Sequence, residues 1–252
     1  MDPDDSRTRA DGDRDADPAT RGRGDGDSRA RAGAGPRDAA GGPSEWGGPE
    51  QVGVGPWPGP RPDDEHYDPE LLEHGDARNV VDAYRYWRRE AVADDLARRA
   101  HPFHVAIENF GHDHNIGTVV RTANAFGAAG VHIVGRRRWN RRGAMVTDRY
   151  LDVHHHDDVA GLLAFAAASD LTVVAVDNTP GARRLETADL PRRCVLLFGQ
   201  EGPGVTGDAR AGAALTVSIA QFGSTRSINA GVAAGIAMHA WVRQHADLDA
   251  AW

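Results

Sequence analysis

The chain has no lysine: all 29 of its basic residues are arginine, set against 37 Asp and Glu in 252 residues. Anion recognition therefore falls to planar guanidinium groups rather than to compact point charges. Cysteine is nearly absent. The single Cys194 excludes an intrachain disulfide framework and a cysteine-built zinc site, and fits a reducing cytoplasm. Long apolar runs are missing too: nothing reaches the length of a membrane span, and the opening thirty residues are charged throughout, without the apolar stretch of a signal peptide. The expectation is a soluble, cytoplasmic protein that makes no use of a membrane. Its formal charge of −8 is unevenly spread. His101–His245 carries 14 Arg against 12 Asp and Glu, so the acid excess sits in front and nucleic acid is an acceptable partner for the rest.

Residues 1–62 are Asp, Arg, Gly and Pro with scattered Ala, show neither helical nor strand period, and are expected to form a disordered arm. Stretches such as R-G-R-G-D-G could contact phosphates, but the interleaved Asp favours a solvated tail. Residues 63–100 turn to long charged text expected to be a helical extension, with Val81, Tyr84, Trp87 and Val92 on one face and Arg85, Arg88 and Arg89 available to nucleic acid. From 101 to 246, strands near 103–107, 131–134, 172–176, 194–198 and 215–219 alternate with helices near 115–126, 157–169 and 227–243, leaving 247–252 as a tail. That alternation predicts an α/β fold with a parallel sheet covered by helices on both faces.

Three segments follow strands and carry the chemistry. N-I-G-T-V-V-R-T-A-N-A-F-G (Asn115 to Gly127) follows F-H-V-A-I; V-L-L-F-G-Q-E-G-P-G (Val195 to Gly204) is an apolar strand ending in a glycine-rich loop; S-I-A-Q-F-G-S-T-R-S-I-N-A-G-V-A-A-G (Ser218 to Gly235) joins a strand to a long helix. Helix N-termini leave backbone N–H groups without intrahelical partners, which Ser227 or Asn229 can cap or leave for a ligand. Ile228, Val232, Ile236, Ala240 and Trp241 recur at helical spacing and are expected to form the buried stripe of that last helix. The glycines of G-Q-E-G-P-G fall as G-x-x-G-x-G, late in the chain, so the dinucleotide fingerprint is absent and Pro203-Gly204 reads as a turn.

Taken in this order, the three segments resemble motifs 1, 2 and 3 of the SPOUT methyltransferases, in the SpoU or TrmH-like branch that methylates RNA ribose 2′-hydroxyls, over about Phe103 to Ala246. The resemblance implies a SPOUT α/β knot, with the C-terminal part threaded into a deep trefoil, a homodimer, and S-adenosylmethionine as methyl donor. It implies cofactor-binding roles for Val176, Asp177, Phe198, Gly199, Glu201, Gly202, Ile219, Ser227, Ile228 and Asn229, and catalytic roles for Arg121, Asn115, Glu201, Ser227 and Asn229. Asn115 could simply be a helix cap, a local job compatible with also orienting the substrate. Motif 3 departs from the family pattern: Ala220 and Gln221 stand where a proline commonly follows the strand, and Asn229-Ala230-Gly231 replaces N-V-S, which bears on cofactor affinity.

Arg121 is the leading catalytic candidate. Lowering an arginine pKa from above 12 to near 7 costs roughly 7 kcal/mol, so it is expected to stay charged, bind a phosphate and stabilise the developing alkoxide. The cluster R-R-R-W-N-R-R-G supplies Arg136, Arg137, Arg138, Trp139, Arg141 and Arg142 as expected RNA contacts, guanidinium to phosphate and indole to base or sugar, unless it is only a solvated loop. His114, beside Asn115, could touch the substrate backbone. No metal is expected: methyl transfer from this donor needs none, and the run His154-His155-His156, near an expected strand, has no Cys or carboxylate spacing to complete a site. The partner is thus RNA, tRNA or rRNA, and the alternative from another class is a non-catalytic RNA-binding protein that keeps the fold.

Overall fold

Apolar strands such as Thr172–Val176 and Cys194–Phe198 need cover on both faces. In the computed structural model, which describes residues 53–109, 115–200 and 202–250, both lie inside a sheet. The chain runs α1 (Pro69–His74), α2 (Arg89–Arg99), β1 (His101–Asn109), α3 (Ile116–Ala125), β2 (Ala128–Gly135), β3 (Val153–His156), α4 (Val159–Ala168), β4 (Thr172–Val176), β5 (Arg183–Arg184), β6 (Cys194–Phe198), α5 (Gly207–Gly212), β7 (Leu215–Ser218) and α6 (Ala230–His245). Seven strands form one sheet in the order β3-β2-β1-β6-β4-β7-β5, with every pairing parallel. The expected α/β architecture is present. Strands β3 and β5 and helix α5 complete it beyond the expected set, two of them too short to show a period. The expected arm up to residue 52, with His114, Glu201 and residues 251–252, lies outside the described residues.

Alternation along β1 sets up two cores. Phe103, Val105 and Ile107 face α3 and α6, while Ala106 faces α4 and α5. Trp241 of α6 is fully buried against Phe103, with ring centroids 4.4 Å apart, and its indole N–H donates to the Pro191 carbonyl at 3.2 Å. Cys194 opens β6 as a buried apolar side chain whose thiol is pushed up to about 12 by burial.

The stripe expected on α6 is corrected by the structure. Its buried positions are Gly231, Ala234, Ala237, Met238 and Trp241, whereas Val232 and Ile236 are exposed. Close approach to α3 decides this: a Cβ on Gly231 would lie 3.1 Å from the Thr118 methyl, so at the start of the helix small residues turn inward and Val232 turns out, while Trp241 is buried as expected. The N-terminal extension is also less continuous than expected. Asp76, fully buried, accepts hydrogen bonds from Arg78 Nη2 at 2.7 Å, Arg78 Nε at 2.8 Å and the Tyr86 amide at 2.9 Å. Burial pushes this carboxyl upward, but the hydrogen bonds from Arg78 and Tyr86 outweigh it and hold the group below its ordinary value. That knot of bonds holds Tyr86 at φ 64° and separates α1 from α2, so of the expected face only Tyr84 and Val92 are buried. Residues ahead of 63 also touch the extension: Val54 pairs with Asp76 through two backbone bonds of 2.9 Å, and Trp57 packs edge-on against Tyr86.

On the α4 face, His104, His132 and His156 form a hydrogen-bonded chain, with 2.9 Å at each link, and His154 stacks on His132 beside Phe165. Burial, reinforced by the neighbouring imidazoles, lowers His132 to about 2 and His104 to about 4 from an ordinary 6.5. Both rings are neutral when folded, so below pH 6.5 the unfolded chain binds more protons than the folded one. Stability should be complete above pH 6.5 and decline by about 1.4 kcal/mol per pH unit for each such proton as the pH falls toward 4. Urea midpoints recorded from pH 7.5 to pH 5 check this, and a constant midpoint over that range would contradict the neutral chain. Among the described residues no group of three or more His, Cys, Asp or Glu is placed to hold a metal ion, and no helix is long and apolar enough to cross a membrane.

Candidate active site

Strand register brings the functional loops together. Ile107 pairs with Phe198, Phe198 with Val176 and Val176 with Val217, so β1, β6, β4 and β7 end side by side. Ligands of open α/β sheets bind beyond the carboxyl ends of the strands. Here those ends open into a cavity of about 520 Å³, within the span of about 300–1,000 Å³ usual for small-molecule sites. Its walls include Val176, Asp177, Phe198, Gly199, Gly202, Ile219, Ser227, Ile228 and Asn229, which is every expected cofactor residue among those described. Arg210, Asn178, Gln221 and Arg226 join them without having been expected as ligand contacts.

The motif 2 loop is a tight return. Gln200 and Gly204 exchange backbone hydrogen bonds of 3.2 and 3.1 Å, and a Cβ on Gly199 would overlap the Gly204 carbonyl and the Val205 nitrogen. Two carboxylates pin the far side of this loop. Glu108, almost fully buried at the end of β1, accepts from the Thr206 amide at 2.9 Å and from its hydroxyl. Burial, with Asp177 nearby, keeps the Glu108 carboxyl above its ordinary value despite the Thr206 hydrogen bonds. Asp177 accepts from the Val205 amide and from Arg210 Nη1, both at 3.3 Å. The signal missed in the sequence was a lone carboxylate closing an otherwise apolar strand. Arg210 was hidden because the six-residue α5 shows no usable period.

The motif 3 loop is tied to its neighbours in the same way. Asn178 donates from Nδ2 to the Arg226 carbonyl at 3.0 Å. Asn229 caps α6, its Oδ1 accepting from the Gly231 and Val232 amides at 2.9 and 3.2 Å, while its Nδ2 donates to Asn115 Oδ1 at 2.9 Å. Asn115 stands at the N-cap position of α3 but makes no side-chain cap bond, which corrects the simple helix-cap reading. Its side chain instead bridges motifs 1 and 3.

Arg121 lies on the outward side of α3, opposite the buried Ile116, Val119, Val120 and Ala123, and is exposed. Neither Arg121 nor Asn115 lines the cavity: the structure gathers motifs 2 and 3 around it and sets motif 1 alongside. The basic segment follows β2. Arg136, Arg137, Arg138, Arg141 and Arg142 are exposed, whereas Trp139 is half-buried against the core with the Arg141 guanidinium 5.6 Å from its ring centroid. Asn109 shapes the segment, its Nδ2 donating to the carbonyls of Arg136 and Arg138.

Comparison with known proteins agrees with this geometry. The tRNA (guanosine(18)-2′-O)-methyltransferase of Escherichia coli (strain K12) is 28% identical over 160 residues, covering 62% of this chain and 70% of the relative. The A. aeolicus TrmH/SpoU tRNA modifying enzyme shares the fold at a TM-score of 0.56 and 22% identity, over 62% of this chain and 82% of that one. The SpoU methyltransferase AviRb from Streptomyces viridochromogenes, solved in complex with the cofactor AdoMet, superposes at a TM-score of 0.53 with 25% identity, over 57% of this chain and 58% of that one. The family model described as SpoU rRNA Methylase matches residues 102–239, which span β1 through most of α6 and contain all three motifs, and the chain accordingly belongs to the SpoU methylase family.

Proposed function

We propose that the protein transfers a methyl group from S-adenosylmethionine to a ribose 2′-hydroxyl of RNA, with residues 101–246 as the methyltransferase domain. The observation that carries this reading is the cavity at the strand ends, walled by the motif 2 and motif 3 loops. The pocket fits a nucleoside-like donor: apolar Val176, Phe198 and Ile219 alternate with the exposed backbone of a loop too tight for a side chain at Gly199. When bound there, S-adenosylmethionine supplies an activated methyl group, and the protein's task is to hold the acceptor in line. Positioning of that kind can contribute about 7–11 kcal/mol.

In this reading Ser227 and Asn229 hold the donor site, and Asn229 transmits its position to Asn115 and α3. Arg121 stays charged and faces the acceptor ribose and a phosphate, while Glu201 takes the catalytic and cofactor-binding role implied by motif 2. Arg136, Arg137, Arg138, Arg141, Arg142 and the edge of Trp139, together with His114, contact the RNA backbone. The substrate of the E. coli relative makes tRNA the first acceptor to assay and rRNA the second. A trefoil knot is supported by the insertion of β6 between β1 and β4, two strands earlier in the chain. A homodimer is supported by Val232 and Ile236, apolar and exposed on α6. Catalysis without a metal, in the cytoplasm, completes the proposal.

Calorimetric titration with S-adenosylmethionine, in buffer with and without a chelator, tests the reading alongside methylation of unmodified tRNA and rRNA transcripts. The expected result is saturable, chelator-insensitive binding and a 2′-O-methylated product. Binding that requires a divalent ion would overturn the metal-free mechanism, and RNA binding without any affinity for the donor would mark a non-catalytic member.

A further inference from the structure

Between two single 3-10 turns, Arg141–Ala144 and Thr147–Arg149, stand Met145 at φ 48° and Val146 at φ 73°. They are the one consecutive pair of positive-φ residues other than glycine among the described residues. For a β-branched residue this region is disfavoured, and a glycine would occupy it without strain. Burial does not offset that strain, because Met145 and Val146 are 54% and 50% exposed. Nor is the loop slack. The Thr147 hydroxyl donates to the Ala144 carbonyl at 2.6 Å, and an Arg141–Asp148 ion pair of 3.3 Å spans the turn. The backbone is thus held so that two apolar side chains face outward. Strained positions that persist in a well-braced segment point to use.

Their place in the fold says what for. Gly143 presses so closely on the first turn of α3 that a Cβ on Gly117 would come within 2.7 Å of the Gly143 Cα. Arg121 is four residues beyond Gly117 on the same helix, which puts it one turn further along and only about 40° round. On the other side of that turn, Thr118 meets Gly231 at the start of α6. Arg121 therefore projects between the Met145–Val146 loop and the motif 3 helix. Exposed Arg137, Arg138, Arg141, Arg142 and Arg149 flank the apolar pair along the chain, and the only acid from 136 to 149, Asp148, is tied to Arg141. A second copy of this chain would bring the same arginines against them. A nucleobase offers an apolar face within a phosphate backbone and fits both features.

Resting on the RNA methyltransferase reading, we propose that Met145 and Val146 form an apolar contact for a nucleobase of the RNA beside the acceptor ribose, holding that nucleotide out of its stack so that its 2′-hydroxyl reaches Arg121. The test uses the full chain and an unmodified tRNA transcript that the wild-type protein methylates. Val146→Gly should raise the melting temperature by about 2–4 °C through relief of the left-handed strain. Combined with Met145→Ala, it should weaken transcript binding about tenfold, the scale of one lost base contact, and raise KM for the transcript. The slope of log affinity against log salt should stay unchanged because no phosphate contact is lost, and S-adenosylmethionine affinity should also stay unchanged. Wild-type transcript affinity in the double variant would overturn the proposal. So would a flatter salt slope, a fall in both melting temperature and cofactor affinity, or loss of a dimer in sedimentation, which would assign the pair to phosphate contact, to folding or to self-association. If the wild-type protein methylates no RNA at all, it is the enzymatic reading that fails, and that control is run first.

Discussion

Replacing Arg121 by alanine is expected to lower methyl transfer at least about 100-fold, the usual effect of removing one preorganised electrostatic donor from a reacting oxygen. Arg121 is exposed on α3 and lies off the cavity wall, so S-adenosylmethionine affinity should change little. Arg121→Lys should rescue poorly, since an ammonium cannot reproduce a planar, two-pronged contact to ribose and phosphate. Asn229→Ala should show the converse. The residue lines the cavity, and its side chain caps α6 through two amides and reaches Asn115, so its loss costs about 1 kcal/mol of helix capping and weakens the donor site as well. Single-turnover rates at saturating RNA, paired with calorimetric cofactor affinities, separate the two variants. Near-normal transfer by Arg121→Ala would refute the role assigned to it.

Gly199→Ala is expected to remove cofactor binding by at least about 100-fold, which corresponds to about 2.7 kcal/mol. The added methyl would overlap the Gly204 carbonyl and the Val205 nitrogen, both backbone atoms that can move only if the return between Gln200 and Gly204 opens. That opening would also pull on Val205 and Thr206, which the carboxylates of Asp177 and Glu108 hold in place. Gly202→Ala supplies the control. At φ 95° it carries backbone strain, of about 1–2 kcal/mol, but its added methyl meets open space and should disturb the loop far less. Calorimetry on both variants, with melting curves to verify folding, distinguishes a cavity wall that depends on close packing from one that depends only on glycine's freedom. Equal and small losses in the two would show that the loop can relax around a side chain at Gly199.

The central strands were legible because they are buried on both faces and therefore nearly continuous in apolar residues, and the loops after them because glycine and asparagine cluster there. Each residue from Val176 to Asn229 expected at the cofactor lines the cavity, Glu201 lying outside the described residues. Helix α6 shows where local periodicity stops short. Trp241 of the expected core face is buried, but Val232 and Ile236 are not: close packing of Gly231 against Thr118 turned Ala234, Ala237 and Met238 inward in their place. Glu108 and Arg210 were out of reach for a related reason: a single carboxylate at a strand end and a single arginine in a short helix acquire meaning only from Thr206 and Asp177, their partners across the fold.

By itself, then, the sequence determined the class of the fold, the three site-bearing loops and their order, because each depends on residues within one strand, one turn and one helix start. Only the tertiary structure decided which loops meet. β6 enters between β1 and β4, Asn115 reaches Asn229 across 114 positions of the chain, and Gly143 settles on Gly117 beside Arg121. Those contacts arise from parallel pairing and close packing between segments far apart along the chain, and neither composition nor period carries that information.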